Sequence, residues 1–516
     1  MSEQPKSPLR EIVQPFIDLV HAPRALWGIN LPYFIEGFAY WGILNYLAMY
    51  FNEYVGLNDI WAGWMVGIMT AGITISMLFF GGLADRWGPR FALLGAFSLL
   101  LGGRILLSGG PSWFPVDAGR WSTLHLAALG GIVLVVLGYG IYQPASYAAV
   151  RKFTSERTAA MAYAMLYAVM NLGGWLPTWL TGVRERHGIA GAYWVLTAAT
   201  LVGLLATAIL LSRRTVANAT AAAAAERAEE KNSSKEEAVE DGGTSGQTSA
   251  AAKVESSGGH VPLHIWVLLV AVAALVCFVF PRPWSYAAGG AILLVTLALE
   301  MYPPGRRWIA QHPLADRKFF FFIFALIPVQ TLFAHNWLTI PMYVNRAYRE
   351  TWPWISTNFE KATNLNPLLI FILVPIVTAL TRKRNVYSLM IVGSLIMALP
   401  AFLLALGPYQ WTLVSYLVLM TVGEALWQPR FLQYAAEIAP EGRTGAYMGV
   451  AQFPWFLTKV IVPLYSGWFL QNYCPQEGAM HSQQMWLIYA CIATSSAFML
   501  VLARGWLGKD FKSKAN

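Results

Sequence analysis

Two carboxylates, one histidine and three cations stand inside runs that are otherwise apolar: Glu36, Glu424, His335, Arg104, Arg430 and Lys459. A carboxylate in such a run is costly when charged and unpaired. Glu36 and Glu424 must therefore meet partners or stay protonated, and either state makes them candidate proton carriers. At 1.5 Å per residue, Glu424 lies about 20 Å along a helix starting near residue 411, and Glu36 about 12 Å in from a start near residue 28. Arg104 and Lys459 lie about 21–24 Å from the starts of theirs, deep enough to receive a substrate carboxylate or to pair with the acids; snorkelling outward is the alternative. Arg430 is close enough to a helix end to snorkel. His335, beside Asn336 and Trp337, titrates near neutrality and is either a protonation site or a packed neutral ring. Tyr33, Tyr40, Tyr139, Tyr142, Tyr167, Trp427 and Trp455 offer flat apolar faces with polar edges, suited to an amphiphilic organic substrate. The chain holds 22 tryptophans and 23 tyrosines, so most of them must serve packing or the membrane interface.

The elements that position these groups are long apolar segments. Of 516 residues, 56% are hydrophobic and only 12% charged, more apolar length than a soluble core of this size hides. From residue 28 onward about fourteen segments of roughly 17–25 residues can each cross a bilayer about 30 Å thick, grouped six, two and six. The expected organisation is a cytoplasmic N-terminus with a surface amphipathic helix (1–27), a first six-helix bundle (28–211), a disordered linker (212–261), two extra spans (262–304), a second bundle (305–505) and a tail (506–516). The linker reading rests on a run of Ala, Glu, Lys, Ser and Gly that cannot bury apolar surface. One stretch occurs twice: Gly138 and Gln143-Pro144 match Gly423 and Gln428-Pro429. Such a spacing marks a duplicated bundle with the substrate site between its halves.

The net charge of +9 points to topology rather than nucleic acid, because the basic residues fall in short loops between apolar runs. Loops on one side hold roughly three times the Lys and Arg of the other, which places both termini in the cytoplasm of a multi-pass cell-membrane protein. Cys277, Cys474 and Cys491 show no metal spacing, no cleavable leader is visible, and no cofactor is implied.

At the junction of the second and third spans, Gly81-Gly82-Leu83-Ala84-Asp85-Arg86-Trp87-Gly88-Pro89-Arg90 resembles the loop signature of the major facilitator superfamily, with Pro89 replacing one basic residue. Gly82, Asp85, Arg86, Gly88 and Arg90 are the candidate gating residues. In physical terms the glycines allow a tight turn and the charges cap helix ends. His21-Ala22-Pro23-Arg24 followed by Tyr33-Phe34-Ile35-Glu36-Gly37-Phe38-Ala39-Tyr40-Trp41-Gly42 resembles the first helix of the proton-dependent oligopeptide transporters. Leu166-Tyr167 with Asn171-Leu172-Gly173, Asn366-Pro367 with Pro375, Gly423-Glu424-Ala425-Leu426 with Pro429, and Met448-Gly449-Val450 fit its fifth, eighth, tenth and eleventh helices. Bacterial members also carry two extra helices between the halves.

The resemblance implies an all-α major facilitator fold, two six-helix bundles related by a pseudo-two-fold axis, and no enzymatic activity. It also carries departures. Tyr33 stands where the family has a first glutamate, Gly37 where it has an arginine, and Gln143 where it has a lysine. The missing cations are those implicated in proton coupling and in receiving the substrate carboxylate. The expected proton-coupling groups are thus Glu36, Glu424 and His335. The expected substrate contacts are Tyr33, Tyr40, Arg104, Tyr139, Gln143, Tyr167, Asn171, Asn336, Glu424, Trp427 and Lys459.

The function expected is proton-coupled transport of a peptide-like solute by alternating access, acting as a monomer in the lipid bilayer. A uniporter, an efflux protein and a non-transporting receptor remain as alternatives, and no nucleotide-binding loop suggests an ATP-driven pump. The orientation gives a direct test. Protease added to right-side-out vesicles should leave residues 212–261 uncut, and cleavage there refutes cytoplasmic termini.

Overall fold

The computed structural model describes residues 23–80, 86–115, 118–154, 156–240, 261–279, 284–381, 384–437, 450–451 and 453–507. Among them every regular element is a helix, as hydrocarbon demands of a backbone that must satisfy its own hydrogen bonds. The surface helix expected before residue 23, and Gly82 and Asp85 of the loop signature, lie outside the described residues.

The first half comprises α1 (Arg24–Glu53), α2 (Asp59–Phe80), α3 (Pro89–Trp113), α4 (Thr123–Phe153), α5 (Glu156–Trp175) and α6 (Thr181–Leu210). Then come α7 (Arg213–Glu240), α8 (Leu263–Val279), α9 (Trp284–Met301) and the short α10 (Pro303–Gln311). The second half holds α11 (Arg317–Ala325), α12 (Ile327–Leu338), α13 (Ile340–Ala347), α14 (Leu365–Leu380), α15 (Val386–Ala398), α16 (Gln410–Glu437), α17 (Phe453–Tyr473) and α18 (Ser482–Leu502). Among the described residues seven stretches are long and apolar enough to cross a membrane. α1 and α16, which carry Glu36 and Glu424, are not among the seven.

The first span of the second half is three pieces, α11, α12 and α13. Pro328 and Pro341 stand in the first turns of α12 and α13, where a missing N–H is harmless but the ring blocks continuation from the preceding turn. Residues 213–240, expected as disordered linker, form α7. Alanine-rich sequence has high intrinsic helicity, Ser212 Oγ accepts from Thr215 N at 3.1 Å, and Val216, Ala219 and Ala223 pack against the bundle. Arg227 pins α7 further, donating to the carbonyls of Arg151 and of Thr154 (2.7 Å) at the end of α4. Residues 241–260 of the expected linker lie outside the described residues.

α8 and α9 pack on each other through Gly289, where an added Cβ would sit 2.4 Å from Cys277 Sγ. This hairpin joins the short loop helix α10 through a small separate cluster of Val261, Ile265 and Ile309.

The two halves meet along three seams, α1 on α12, α2 on α17 and α5 on α14. α2 and α17 cross closely: a Cβ on Gly467 would lie 2.3 Å from the Asp59 carbonyl. Small residues at such crossings let backbones approach where no hydrophobic force favours one apolar contact over another. The repeated glycines do the same within each half. A Cβ on Gly138 would meet Ala96 O at 3.0 Å on α3, and one on Gly423 would meet Met397 N at 2.2 Å on α15. Gly423→Leu should therefore overpack this crossing, at about 1–3 kcal/mol or more where backbone atoms cannot yield. A lowered melting temperature in detergent is the expected result, and an unchanged one contradicts the close approach.

Candidate functional site

Glu36 is fully buried, 0% exposed, and Arg104 reaches it from α3. Both guanidinium nitrogens donate to the carboxylate, Nη1 to Oε2 at 2.7 Å and Nη2 to Oε1, and Nη1 also donates to Thr200 Oγ1 on α6. Arg104 is thus the partner of an acid. The expectation that it contacts substrate is corrected, since its charge is turned into the first half. The absence of an arginine at position 37 has a packing cause. α1 and α5 approach so closely that a Cβ on Gly37 would lie 2.5 Å from Met170 O, and one on Gly173 would lie 2.1 Å from Phe34 O. No side chain fits there, and the guanidinium comes from α3 instead.

In front of this pair runs a file of rings. Tyr33 stacks on Tyr142 (5.7 Å between centroids), Tyr142 meets Tyr139 (5.9 Å), and Tyr139 meets Tyr40 (4.9 Å). The file continues through Trp41 (5.3 Å) to Phe333 (6.1 Å) and Trp455 (4.7 Å), crossing from the first half to the second. Tyr139 and Tyr142 lie within electrostatic reach of Glu36, and their hydroxyls are buried without a hydrogen-bond partner. At the other end Tyr33 faces Gln143 and Tyr147. Gln143 is half-buried and Tyr147 is 38% exposed, so this end is less enclosed than the Glu36 end. On α5, Tyr167 is 42% exposed yet within electrostatic reach of Glu424, so it faces the space between the halves. Asn171 donates to the Tyr167 carbonyl at 2.9 Å.

In the second half, Glu424 accepts from Asn366 Nδ2 at 2.7 Å, and the same Nδ2 reaches Thr421 Oγ1 at 3.1 Å. With its amide nitrogen toward Glu424, Gln428 donates to Oε1 at 3.0 Å and accepts from Trp455 Nε1 at 3.3 Å. Glu424 thus meets neutral amides, and no cation among the described residues forms an ion pair with it. Lys459, half-buried one turn beyond Trp455, holds its Nζ 4.7 Å from the centre of that ring. Asn366 and Asn336 line a cleft with Trp41, Asn45, Phe333 and Asn364, which draws on both halves. Asn336 Oδ1 has no hydrogen-bond partner there.

Two expected site residues lie elsewhere. Trp427 is 1% exposed, with Nε1 on Met397 Sδ at 3.1 Å and its backbone against Gly393. It packs α16 on α15 and is not among the residues that line the cleft, whereas Trp455 lies against Phe333, which is. His335 is enclosed in the second half, with Nδ1 on Thr339 Oγ1 (2.7 Å), Nε2 on Tyr465 OH (3.0 Å) and its ring stacked on Tyr489 at 3.9 Å. In the loop signature, Gly88 has φ 76°, which favours glycine, and Pro89 opens α3 at its first position. Arg90 donates to the carbonyls of Ala208 (2.8 Å) and Leu211 at the end of α6, while Arg86 is exposed.

Sequence reasoning missed a second set of charges, on the face that carries the α1–α2 connection. Glu360, fully buried in the one-turn helix Phe359–Thr363, accepts from Arg184 Nε at 2.6 Å, Tyr46 OH at 2.9 Å and Thr181 Oγ1 at 3.1 Å. Arg346 donates to both oxygens of Asp59, at 2.7 and 2.9 Å, and to Cys474 O at 2.9 Å. Asn45 donates to Asn364 Oδ1 at 2.7 Å. Apart from the Arg346–Cys474 bond, which lies within the second half, each of these contacts crosses from one half to the other, so this face is closed. The signal available in sequence was the placement of Asp59, Arg184, Arg346 and Glu360 at span ends on the side where basic residues are scarce.

Two helical halves, joined across a polar and aromatic cleft and closed on one face by ion pairs, define a membrane transporter architecture. The sequence profile of the Major Facilitator Superfamily matches residues 29–463, and the chain belongs to that superfamily. The fold is similar to that of a peptide transporter POT solved with sulfate: TM-score 0.66, 18% identity, covering 95% of this chain and 96% of that one. It is also similar to a POT family transporter solved with 5-aminolevulinic acid (TM-score 0.63, 16% identity, 95% and 97% covered). A third similar structure comes from work on substrate recognition in proton dependent oligopeptide transporters (TM-score 0.61, 16% identity, 95% and 98% covered). A search of curated protein sequences finds no significant match.

Breaking a buried ion pair leaves an uncompensated charge, at about 3–5 kcal/mol. Glu360→Gln strands Arg184 in this way and should loosen the closed face. A cysteine placed at Thr363 should then react faster with a membrane-impermeant thiol reagent added from that side, and an unchanged rate refutes the closure.

Proposed function

We propose that this protein is a proton-coupled secondary transporter of a small peptide-like or amino-acid-derived solute, working by alternating access between its halves. The observation that carries this reading is the contrast between the faces: cross-half ion pairs close one, while Tyr147, Gln143 and Tyr167 open toward the other. With cytoplasmic termini the closed face is external and the cleft opens inward. The solved relatives are described with sulfate, 5-aminolevulinic acid and a thioalcohol-conjugated peptide, which supports a zwitterionic or anionic organic substrate. Asn366 and Glu424 form a carboxylate-and-amide pair able to receive an ammonium group.

Glu36 is the proton site in this scheme. Protonation removes its charge, frees Arg104 from a bidentate pair and changes how α1, α3 and α6 are held together. The complete enclosure of the Glu36–Arg104 pair favours one competing reading, a static brace in a uniporter.

Proteoliposomes under an imposed pH gradient, assayed with di- and tripeptides and short amino acids, separate the two. Glu36→Gln should abolish uphill uptake and leave counterflow exchange, and the double variant with Arg104→Gln removes the stranded charge as a folding control. Wild-type concentrative uptake by Glu36→Gln establishes the brace. Glu424→Gln should instead weaken substrate binding by about 1–3 kcal/mol, the value of a hydrogen bond to a charged group.

A further inference from the structure

The charges inside the bundle fall into two kinds. Glu36 and Arg104 neutralise one another within the first half. Lys459 in the second half has no carboxylate partner among the described residues. Its ammonium lies over Trp455, whose indole N–H bonds Gln428, whose amide in turn bonds Glu424. Trp455 also meets Phe333, a wall of the cleft, at 4.7 Å between tilted rings. The lysine backbone is fixed from the opposite half, because Thr70 Oγ1 donates to Lys459 O at 3.0 Å. A cation in the first third of α17, on a backbone held from the opposite half and resting on a ring, is a standing charge that an incoming anion would neutralise.

We propose that Lys459 receives the substrate carboxylate. This rests on the transport reading above and specifies its substrate class: a short zwitterion, an amino acid or dipeptide, with its ammonium at Glu424 and Asn366 and its carboxylate at Lys459. Both charges are then read by the second half, from α16 and α17. The first half presents uncharged rings and amides, Tyr33, Tyr167 and Gln143, because Arg104 is committed to Glu36. The lysine absent at position 143 is thus replaced functionally from α17.

The test compares uptake of dialanine, its C-terminal amide and its N-acetyl derivative by reconstituted wild-type protein, Lys459→Met and Lys459→Arg. Methionine keeps length and apolar bulk and adds no polar group to bury, so folding is not at risk. Wild type should prefer the free acid over the amide by about 10- to 100-fold, the value of one charge-assisted hydrogen bond. Lys459→Met should lose that preference yet keep discrimination against the N-acetyl compound, and Lys459→Arg should restore the preference. Unchanged acid-over-amide preference in Lys459→Met overturns the assignment while the transport reading stands. Equal uptake of acid and amide by wild type overturns it as well. Uptake of none of the three by wild type overturns the transport reading on which it rests.

Discussion

An ion taken from water into a helical bundle must find its opposite or a task, and that constraint sorts every charge in this protein. Three pairs are closed: Glu36 with Arg104 inside the first half, and Glu360 with Arg184 and Asp59 with Arg346 between the halves. Glu424, bonded to Asn366 and Gln428, and Lys459, resting on Trp455, form no ion pair among the described residues.

The duplicated sequence shows how symmetry was kept for packing and broken for chemistry. Gly138 and Gly423 perform the same close crossing in the two halves. One residue beyond each, the chain carries Tyr139 in the first half and Glu424 in the second. The first half thus presents a row of rings backed by a buried pair, and the second presents a carboxylate on amides. The frame is thus pseudo-symmetric while its lining is not.

The cross-half contacts are equally one-sided. Asn45, Tyr46, Arg184 and Glu360 form one linked group on the closed face, with Asp59 and Arg346 beside it. α7 is held to the first half through Arg227 and its apolar residues.

The sequence by itself determined the class of fold, because apolar length, loop charge and an internal repeat are local or periodic properties that survive without coordinates. It also singled out Glu36, Glu424 and Lys459, since a charge in an apolar run is conspicuous whatever surrounds it. It could not assign their partners. Arg104 and Glu36 are separated by 68 residues, and only the crossing of α1, α3 and α5 shows that position 37 has no room for a side chain and that α3 supplies the guanidinium. Trp427 and Trp455 are chemically identical in sequence, and helix rotation alone decided that one packs on Gly393 and the other lies against Phe333 and Gln428. Glu360 and Arg184 read as loop charges, because residues 176 apart declare an ion pair only when two bundles close on each other. The helical α7 was hidden by composition: polar residues predict solvent exposure, but the few apolar contacts and the Arg227 anchor that order it are tertiary.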